Sequence, residues 1–180
     1  MILVYTGNGK GKTSAALGNV FRALGHGWRV LVIQFMKGDW PVVFGERVSA
    51  KRHKKLEILQ LGRGFVRIMG DKKPLSEHRQ AASRALATAK KRIYSGKYDL
   101  VVLDEVLVAL ESMGALLVPK KELFEILKKK PERTHLVLTG RIQDAQTKEQ
   151  LILLADLVTE MKEIKHPYQK GIGALKGIDY

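Results

Sequence analysis

Apolar and polar positions follow two regimes along this chain. Short, nearly unbroken apolar runs recur: Met1-Ile2-Leu3-Val4-Tyr5, Val30-Leu31-Val32-Ile33, Leu56-Glu57-Ile58-Leu59-Gln60-Leu61, Leu100-Val101-Val102-Leu103, Leu136-Val137-Leu138 and Leu157-Val158-Thr159. Runs this short, bounded by glycine and polar residues, read as strands buried on both faces. Between them the spacing turns helical. A helix is predicted over 12–24, stopped by Gly25 and Gly27. A longer one spans 76–94, with Ala82, Leu86, Ala89 and Ile93 on one stripe and Arg79, Arg84 and Lys90 off it. Ser76 is its expected N-cap and Gly96 its stop. Shorter helices are predicted over 122–130, with Leu123, Ile126 and Leu127 inward, and over 148–155. The stretch 36–55, with Gly38, Pro41 and Gly45, reads as a long surface loop with space for a short helix. The tail 165–180 shows no clear period. Strands separated by helices predict one α/β domain over 1–180: a mainly parallel sheet with helices on both faces. A ligand then belongs at the carboxyl ends of the strands.

The segment directly behind the first run gives that edge a chemistry. Residues 6–14 read Thr-Gly-Asn-Gly-Lys-Gly-Lys-Thr-Ser, between a strand and the helical pattern that opens with Ala15, Ala16 and Leu17. This is a phosphate-binding (P-loop) pattern. Gly7, Gly9 and Gly11 let the backbone curl so that successive amides, including those of Asn8, Lys10 and Ser14, point inward. The helix N-terminus adds partial positive charge at the same point. Lys12 supplies a cation for phosphate oxygens and Thr13 a hydroxyl for Mg²⁺. The strict pattern has glycine six residues before the lysine; Thr6 stands there and Gly7 comes next.

A second motif ends the fourth run. Asp104-Glu105 comes directly after Leu100-Val101-Val102-Leu103, where phosphate-loop enzymes hold Mg²⁺ directly or through water. Beside a phosphate-bound cation both carboxylates are expected to be ionised. Glu105 is a candidate both for activating water and for binding the metal, and spacing does not decide between them. Thr139-Gly140-Arg141 leaves the same edge after the fifth run. Arg141 reads equally as a phosphate contact and as a surface ion pair.

Composition changes the picture only in part. Lys and Arg number 32 against 18 Asp and Glu, a net charge of +14. Such a surface attracts polyanions, or simply reflects a lysine-rich soluble exterior. The clusters Lys51-Arg52-His53-Lys54-Lys55 and Lys128-Lys129-Lys130 lack interleaved aromatic residues, so a single-strand nucleic-acid groove is not indicated. There is no cysteine, hence no disulfide or thiolate metal site. No run is long enough to span a bilayer and the first is too short for a secretory signal, so the expected compartment is the cytoplasm, with no membrane partner.

Taken in order, these blocks closely resemble the phosphate-loop ATP:corrinoid adenosyltransferases, which adenosylate cob(I)yrinic acid a,c-diamide and cob(I)alamin. The resemblance covers nearly the whole chain. Thr6-Gly7-Asn8-Gly9-Lys10-Gly11-Lys12-Thr13 is similar to that family's own loop, Thr6 included. Arg22-Ala23-Leu24-Gly25-His26-Gly27, Gln34-Phe35-Met36-Lys37-Gly38, Leu103-Asp104-Glu105 and Thr139-Gly140-Arg141 are similar to later blocks. So are Ala155-Asp156-Leu157-Val158-Thr159-Glu160-Met161, Lys165-His166-Pro167-Tyr168-Gln169-Lys170-Gly171 and Gly177-Ile178-Asp179-Tyr180. The resemblance implies a RecA-like P-loop NTPase fold, a homodimer, and attack of a Co(I) corrinoid on C5′ of ATP with loss of triphosphate. ATP would lie reversed relative to ordinary phosphate-loop enzymes. It implies Mg²⁺ at Thr13, Asp104 and Glu105, catalytic parts for Lys12, Glu105 and Arg141, and an electron donor that reduces Co(II) to Co(I). His166 is expected to be structural or to contact nucleotide.

In one block the chain departs from the family. Gly64-Phe65-Val66-Arg67 stands where the family commonly shows Gly-Phe-Thr-Trp, aromatics thought to cover the lower corrin face. Phe65 is retained as a corrinoid contact or as a loop anchor. With Arg67 in place of tryptophan, the corrinoid packs differently, another ring such as Trp40 serves, or the substrate differs. Arg67 is also placed to pair with a corrin carboxylate or amide. Two rival functions stand beside this one: a nucleic-acid-stimulated ATPase, from the RecA-like plan and the charge, and a nucleotide-binding regulator without turnover.

Overall fold

Five short strands, buried or half-buried throughout, and a sixth, more exposed one dictate the architecture, because a strand covered on both faces needs neighbours on both edges and helices above and below. The computed structural model describes residues 1–39, 42–68, 70–110, 112 and 114–180. In chain order the elements are β1 (Ile2–Thr6), α1 (Lys12–Gly25), β2 (Val30–Gln34), α2 (Gly45–Ala50), β3 (Leu56–Gln60), α3 (Leu75–Tyr94), β4 (Leu100–Asp104), α4 (Val106–Leu110), α5 (Lys120–Lys129), β5 (His135–Thr139), α6 (Ala145–Leu154) and β6 (Leu157–Glu160). A single 3₁₀ turn, Pro167–Lys170, interrupts the tail. The strands form one sheet in the order β3-β2-β4-β5-β1-β6, and every pairing is parallel.

Register aligns the strand ends. Gln34 lies beside Asp104 and beside Gln60, and Tyr5 lies beside Thr139. The loops after β1, β2, β4 and β5 therefore leave one edge together.

Alternate strand residues feed two cores. On one face Ile33, Leu103 and Leu138 pack with Ala85 and Leu86 of α3, Leu107 of α4, Leu123 of α5 and Leu151 of α6. On the other, Val32, Val102 and Val137 meet Ala16, Val20 and Ala23 of α1. Helices cover both faces, as the spacing predicts, but unequally: the second core is filled chiefly by α1. Among the described residues no helix is long and apolar enough to cross a membrane.

Helices α3, α5 and α6 start earlier than the sequence reading has them, α5 at Lys120 instead of 122, and α4 is a helix it lacks. Ser76 does not cap α3. The helix begins at Leu75, the preceding position is Pro74, and no side chain caps it. Helix α6 begins at Ala145, not at 148, because the Asp144 carboxylate accepts the Thr147 N–H at 2.9 Å. Helix α4, absent from the sequence reading, comes directly after Asp104-Glu105; four of its five residues are buried, so it shows no amphipathic period. Helix α2 fills the space in the loop after β2.

The seating of α3 on the sheet is testable. Leu86 is fully buried in the larger core, so Leu86→Ala should cost about 2–5 kcal/mol of unfolding free energy. Urea denaturation followed by far-UV circular dichroism reads the loss.

Candidate functional site

The phosphate loop crosses the chain that leaves β6, and that crossing fixes its glycines. A Cβ on Gly7 would lie 2.4 Å from the Met161 carbonyl oxygen, and one on Gly9 2.8 Å from it. Gly7 and Gly11 also hold φ of 97° and 111°, a region that glycine enters freely. The inward curl expected of every amide is corrected at Gly9, whose N–H donates to Met161 O at 2.7 Å. Its glycine serves a main-chain crossing.

Lys12 opens α1 and folds back over the loop, donating to Gly7 O at 2.8 Å and Gly9 O at 2.6 Å. Burial lowers its pKa, and nearby Arg141 lowers it further against the opposing pull of Glu105. Arg141 reaches Asn8 O at 3.5 Å and makes no ion pair among the described residues. Of its two readings, the structure places it beside the loop. Gly140, at φ 139°, lets the chain pass over α4, where a Cβ would meet Leu107 and Val108 at 2.8 Å. Lys10 pairs with Asp179 of the tail, and both line the same cleft as Lys12 and Thr13.

Asp104 is the hub. Its Oδ1 accepts from the Thr13 hydroxyl at 2.8 Å and the Thr139 hydroxyl at 2.7 Å. Its Oδ2 accepts from Gln34 Nε2 at 3.2 Å and faces the Lys37 ammonium at 3.7 Å. Lys37 also pairs with Glu46 of α2 at 3.0 Å and lies 4.3 Å from the centre of the Phe44 ring. Burial would depress the Lys37 ammonium, but Asp104 and Glu46 outweigh it and hold its pKa above the usual value. Glu46 is held below the carboxylate range: Lys37 and a Gln34 hydrogen bond overcome its desolvation.

Glu105 sits at φ 60° and starts α4 through its carbonyl, while its N–H donates to Thr139 Oγ1 at 2.8 Å. Its Oε2 is sealed from solvent without a hydrogen-bond partner among the described residues. Burial, and then Asp104, push its pKa up to about 8. The expectation that both carboxylates are ionised therefore holds for Glu105 only with a cation beside it.

A cleft of about 640 Å³ opens from this cluster. Lys12, Thr13 and Ser14 lie at one end, Leu17 and Phe21 of α1 and Ile58 of β3 along it, and the last residues, Gly177–Tyr180, form a wall. No group of three or more His, Asp or Glu side chains is arranged to hold a metal among the described residues. His166 accepts the Tyr168 N–H and caps the 3₁₀ turn, a structural part.

The site thus unites Lys12, Thr13, Asp104, Glu105 and Arg141. Phe65 and Arg67 lie on the adjoining loop after β3. That loop is fastened to the one after β2: a Cβ on Gly38 would sit 1.9 Å from Gly62 O, and Gly62 N–H donates to Lys37 O at 3.1 Å. Phe65 is half-buried and packs against the larger core beside Val66. Arg67 and Ile68 are exposed at the tip. Trp40 lies outside the described residues. Sequence reasoning missed Gln34, Lys37, Glu46 and Thr139 as parts of the site. A buried glutamine closing an apolar strand and a lysine just past it were the available signals; Glu46 left none.

The model of the family described as ATP:corrinoid adenosyltransferase BtuR/CobO/CobP matches residues 1–180. A corrinoid adenosyltransferase of Sinorhizobium sp is 38% identical over all of this chain and 80% of its own length. One from Escherichia coli K12 is 35% identical over all of this chain and 85% of its own. The flagellar accessory protein FlaH of Methanocaldococcus jannaschii superposes with a TM-score of 0.56 at 9% identity, covering 88% of this chain and 69% of that one. That likeness concerns the fold alone, a RecA-like P-loop α/β fold.

The Glu105 shift predicts a pH effect. Its folded pKa of about 8 lies above the ordinary carboxylate value of 4.5, so its contribution to stability is full below about pH 4.5 and is lost as pH rises through 8. Without ligand, wild type should lose a few kcal/mol relative to Glu105→Gln between about pH 5 and 8. Denaturant titrations of both proteins across that window check it.

Proposed function

Because this chain belongs to the ATP:corrinoid adenosyltransferase family, which carries the adenosyl group of ATP to the cobalt of a corrinoid, we propose that its phosphate loop holds ATP by the triphosphate and leaves C5′ facing the corrinoid. A Co(I) centre brings its own electron pair. The Co–C bond forms at C5′ as the C5′–O bond breaks, and triphosphate leaves with the bonding electrons. No Ser, Cys or Lys nucleophile is required. The protein's task is to stabilise charge on the leaving group and to align it.

The residues fit that task. Lys12 exchanges the carbonyls of Gly7 and Gly9 for phosphate oxygens. The α1 N-terminus and loop amides face the same charge. Arg141, beside Asn8, adds a second cation. The donor set also suits Mg²⁺. Thr13 donates its hydroxyl hydrogen bond to Asp104 and keeps its lone pairs, and Glu105 offers an oxygen, Oε2, with no partner among the described residues. Mg²⁺ is usually held by one or two protein groups plus phosphates, so no larger cluster is needed. Bound there, it would neutralise charge building on the triphosphate. Asp104, with both oxygens engaged, positions Thr13. The Thr13–Asp104 bond beside the orphaned Glu105 carboxyl is the observation that carries this placement. A reductant that maintains Co(I) and a second copy of the chain complete the proposed partners.

With ATP, Mg²⁺ and chemically reduced corrinoid, the purified protein should release inorganic triphosphate and form a light-sensitive Co–C product. Lys12→Ala should lower kcat roughly 10²–10³-fold, the scale of losing one preorganised stabiliser. Chromatography of the phosphate products checks both. Orthophosphate release that climbs with added DNA or RNA would restore the ATPase reading, and Lys12→Ala with wild-type turnover would overturn the triphosphate placement.

A further inference from the structure

The loop after β3 holds its one arginine tip residue in a conformation that costs energy. Arg67 has φ 56°, uncommon for a side chain of its size. Such conformations persist where the surroundings over-determine them, and they gather at functional sites. The fastening is visible on both sides. Before Arg67, Val66 is buried and Phe65 leans on the core. After it, Asp71 turns inward and its Oδ2 accepts the Arg67 N–H at 3.0 Å. The same oxygen meets His78 Nε2 of α3 at 2.9 Å. Both side chains of this clasp are nearly sealed, 7% exposed for Asp71 and 1% for His78. Asp71 N–H closes the turn onto Ile68 O at 3.2 Å.

The clasp leaves a charge unanswered. Asp71 is the only acid between Gly62 and Pro74, and its oxygens are taken by the Arg67 N–H, His78 and Lys73, whose ammonium lies 3.5 Å away. The guanidinium of exposed Arg67 makes no hydrogen bond or ion pair among the described residues. Arg63, on the same loop, is occupied by Asp39 and Glu77. A fixed main chain and a guanidinium without a partner among the described residues, beside a carboxylate already engaged by other groups, make an anion-seeking tip. Arginine presents parallel N–H donors that match a carboxylate in a bidentate pair. A carboxamide offers one neutral acceptor to the same fork.

We propose that Arg67, positioned by the Asp71–His78 clasp, is a specificity-determining residue that binds a peripheral carboxylate of the corrinoid, so that this chain prefers corrinoids with free acid side chains over fully amidated ones. The proposal rests on the reading that this loop meets the corrinoid, and it names the substrate class at that site. Asp71 and His78 are positioning residues. The net charge of +14 draws acidic corrinoids from a distance and is screened by salt; Arg67 supplies the short-range part that a single substitution removes.

The test compares kcat/KM for cob(I)yrinic acid a,c-diamide with that for cob(I)inamide, whose side chains are amides. Both are reduced chemically beforehand and ATP is saturating. Wild type should favour the acid roughly tenfold at low salt, the scale of one hydrogen bond to a charged group. Arg67→Gln, an exposed and structurally mild change, should erase that preference by raising KM for the acid far more than KM for the amide, with KM for ATP unchanged. His78→Leu should reproduce the loss with Arg67 present, and His78→Gln, which still donates to Asp71, should restore it. Equal kcat/KM for the two corrinoids in wild type, or equal slowing of both by Arg67→Gln, overturns the Arg67 assignment while the family reaction stands. Turnover of neither corrinoid by wild type overturns both.

Discussion

A single buried carboxylate ties the active edge of this sheet together. Asp104 ends the central strand and is 1% exposed, a position where an unpaired charge is prohibitive. It is satisfied by groups from three other strands and the loops after them: Thr13 after β1, Gln34 and Lys37 at the end of β2, and Thr139 at the end of β5. Parallel register makes this possible, because it brings Gln34 level with Asp104 and aligns the strand ends. The fold and the site are therefore one constraint. Removing the Asp104 carboxylate would leave two hydroxyls, an amide and an ammonium without their shared partner.

Close main-chain crossings do the rest. Gly7 and Gly9 pass against Met161, Gly38 against Gly62, and Gly140 over Leu107 and Val108. The first two crossings join loops main chain to main chain, and the third seats the loop after β5 on α4. The phosphate loop is thereby fixed to the chain after β6, and the loop bearing Arg67 to the one bearing Lys37. Lys12 rests on the loop's own carbonyls, which hold its ammonium over the loop where the proposed function puts the triphosphate.

How legible this was depends on the range of each interaction. The strands were readable because parallel strands under two layers are continuously apolar. The phosphate loop and Asp104-Glu105 were readable because each comes immediately after such a run. Helix α4 was not, since burial on nearly every side erases the amphipathic period. Asp144 was passed over as the cap of α6 because the apolar spacing beyond it resumes only at Leu151. The role of Gly9 depends on Met161, far along the chain, and Glu46 joins the site only through Lys37 and Gln34. The Arg67 substitution was visible as a departure. The inward turn of Asp71 that leaves the Arg67 guanidinium without a partner among the described residues was not.

Two residues other than glycine hold positive φ among those described, Glu105 and Arg67. Neither strain serves packing alone, because each delivers a polar group that the protein itself leaves unmatched. Glu105 brings a sealed oxygen without a donor to the foot of the phosphate loop. Arg67 brings a guanidinium without a partner among the described residues to the tip of the loop after β3. In the proposed function the first is completed by a cation and the second by an anion, the two things that a metal-bound triphosphate and an acidic corrinoid supply. Backbone strain of this kind costs on the order of 1–3 kcal/mol per residue, and the fold carries it twice at one sheet edge, once after β4 and once after β3, which in the proposed function is offset when substrates bind.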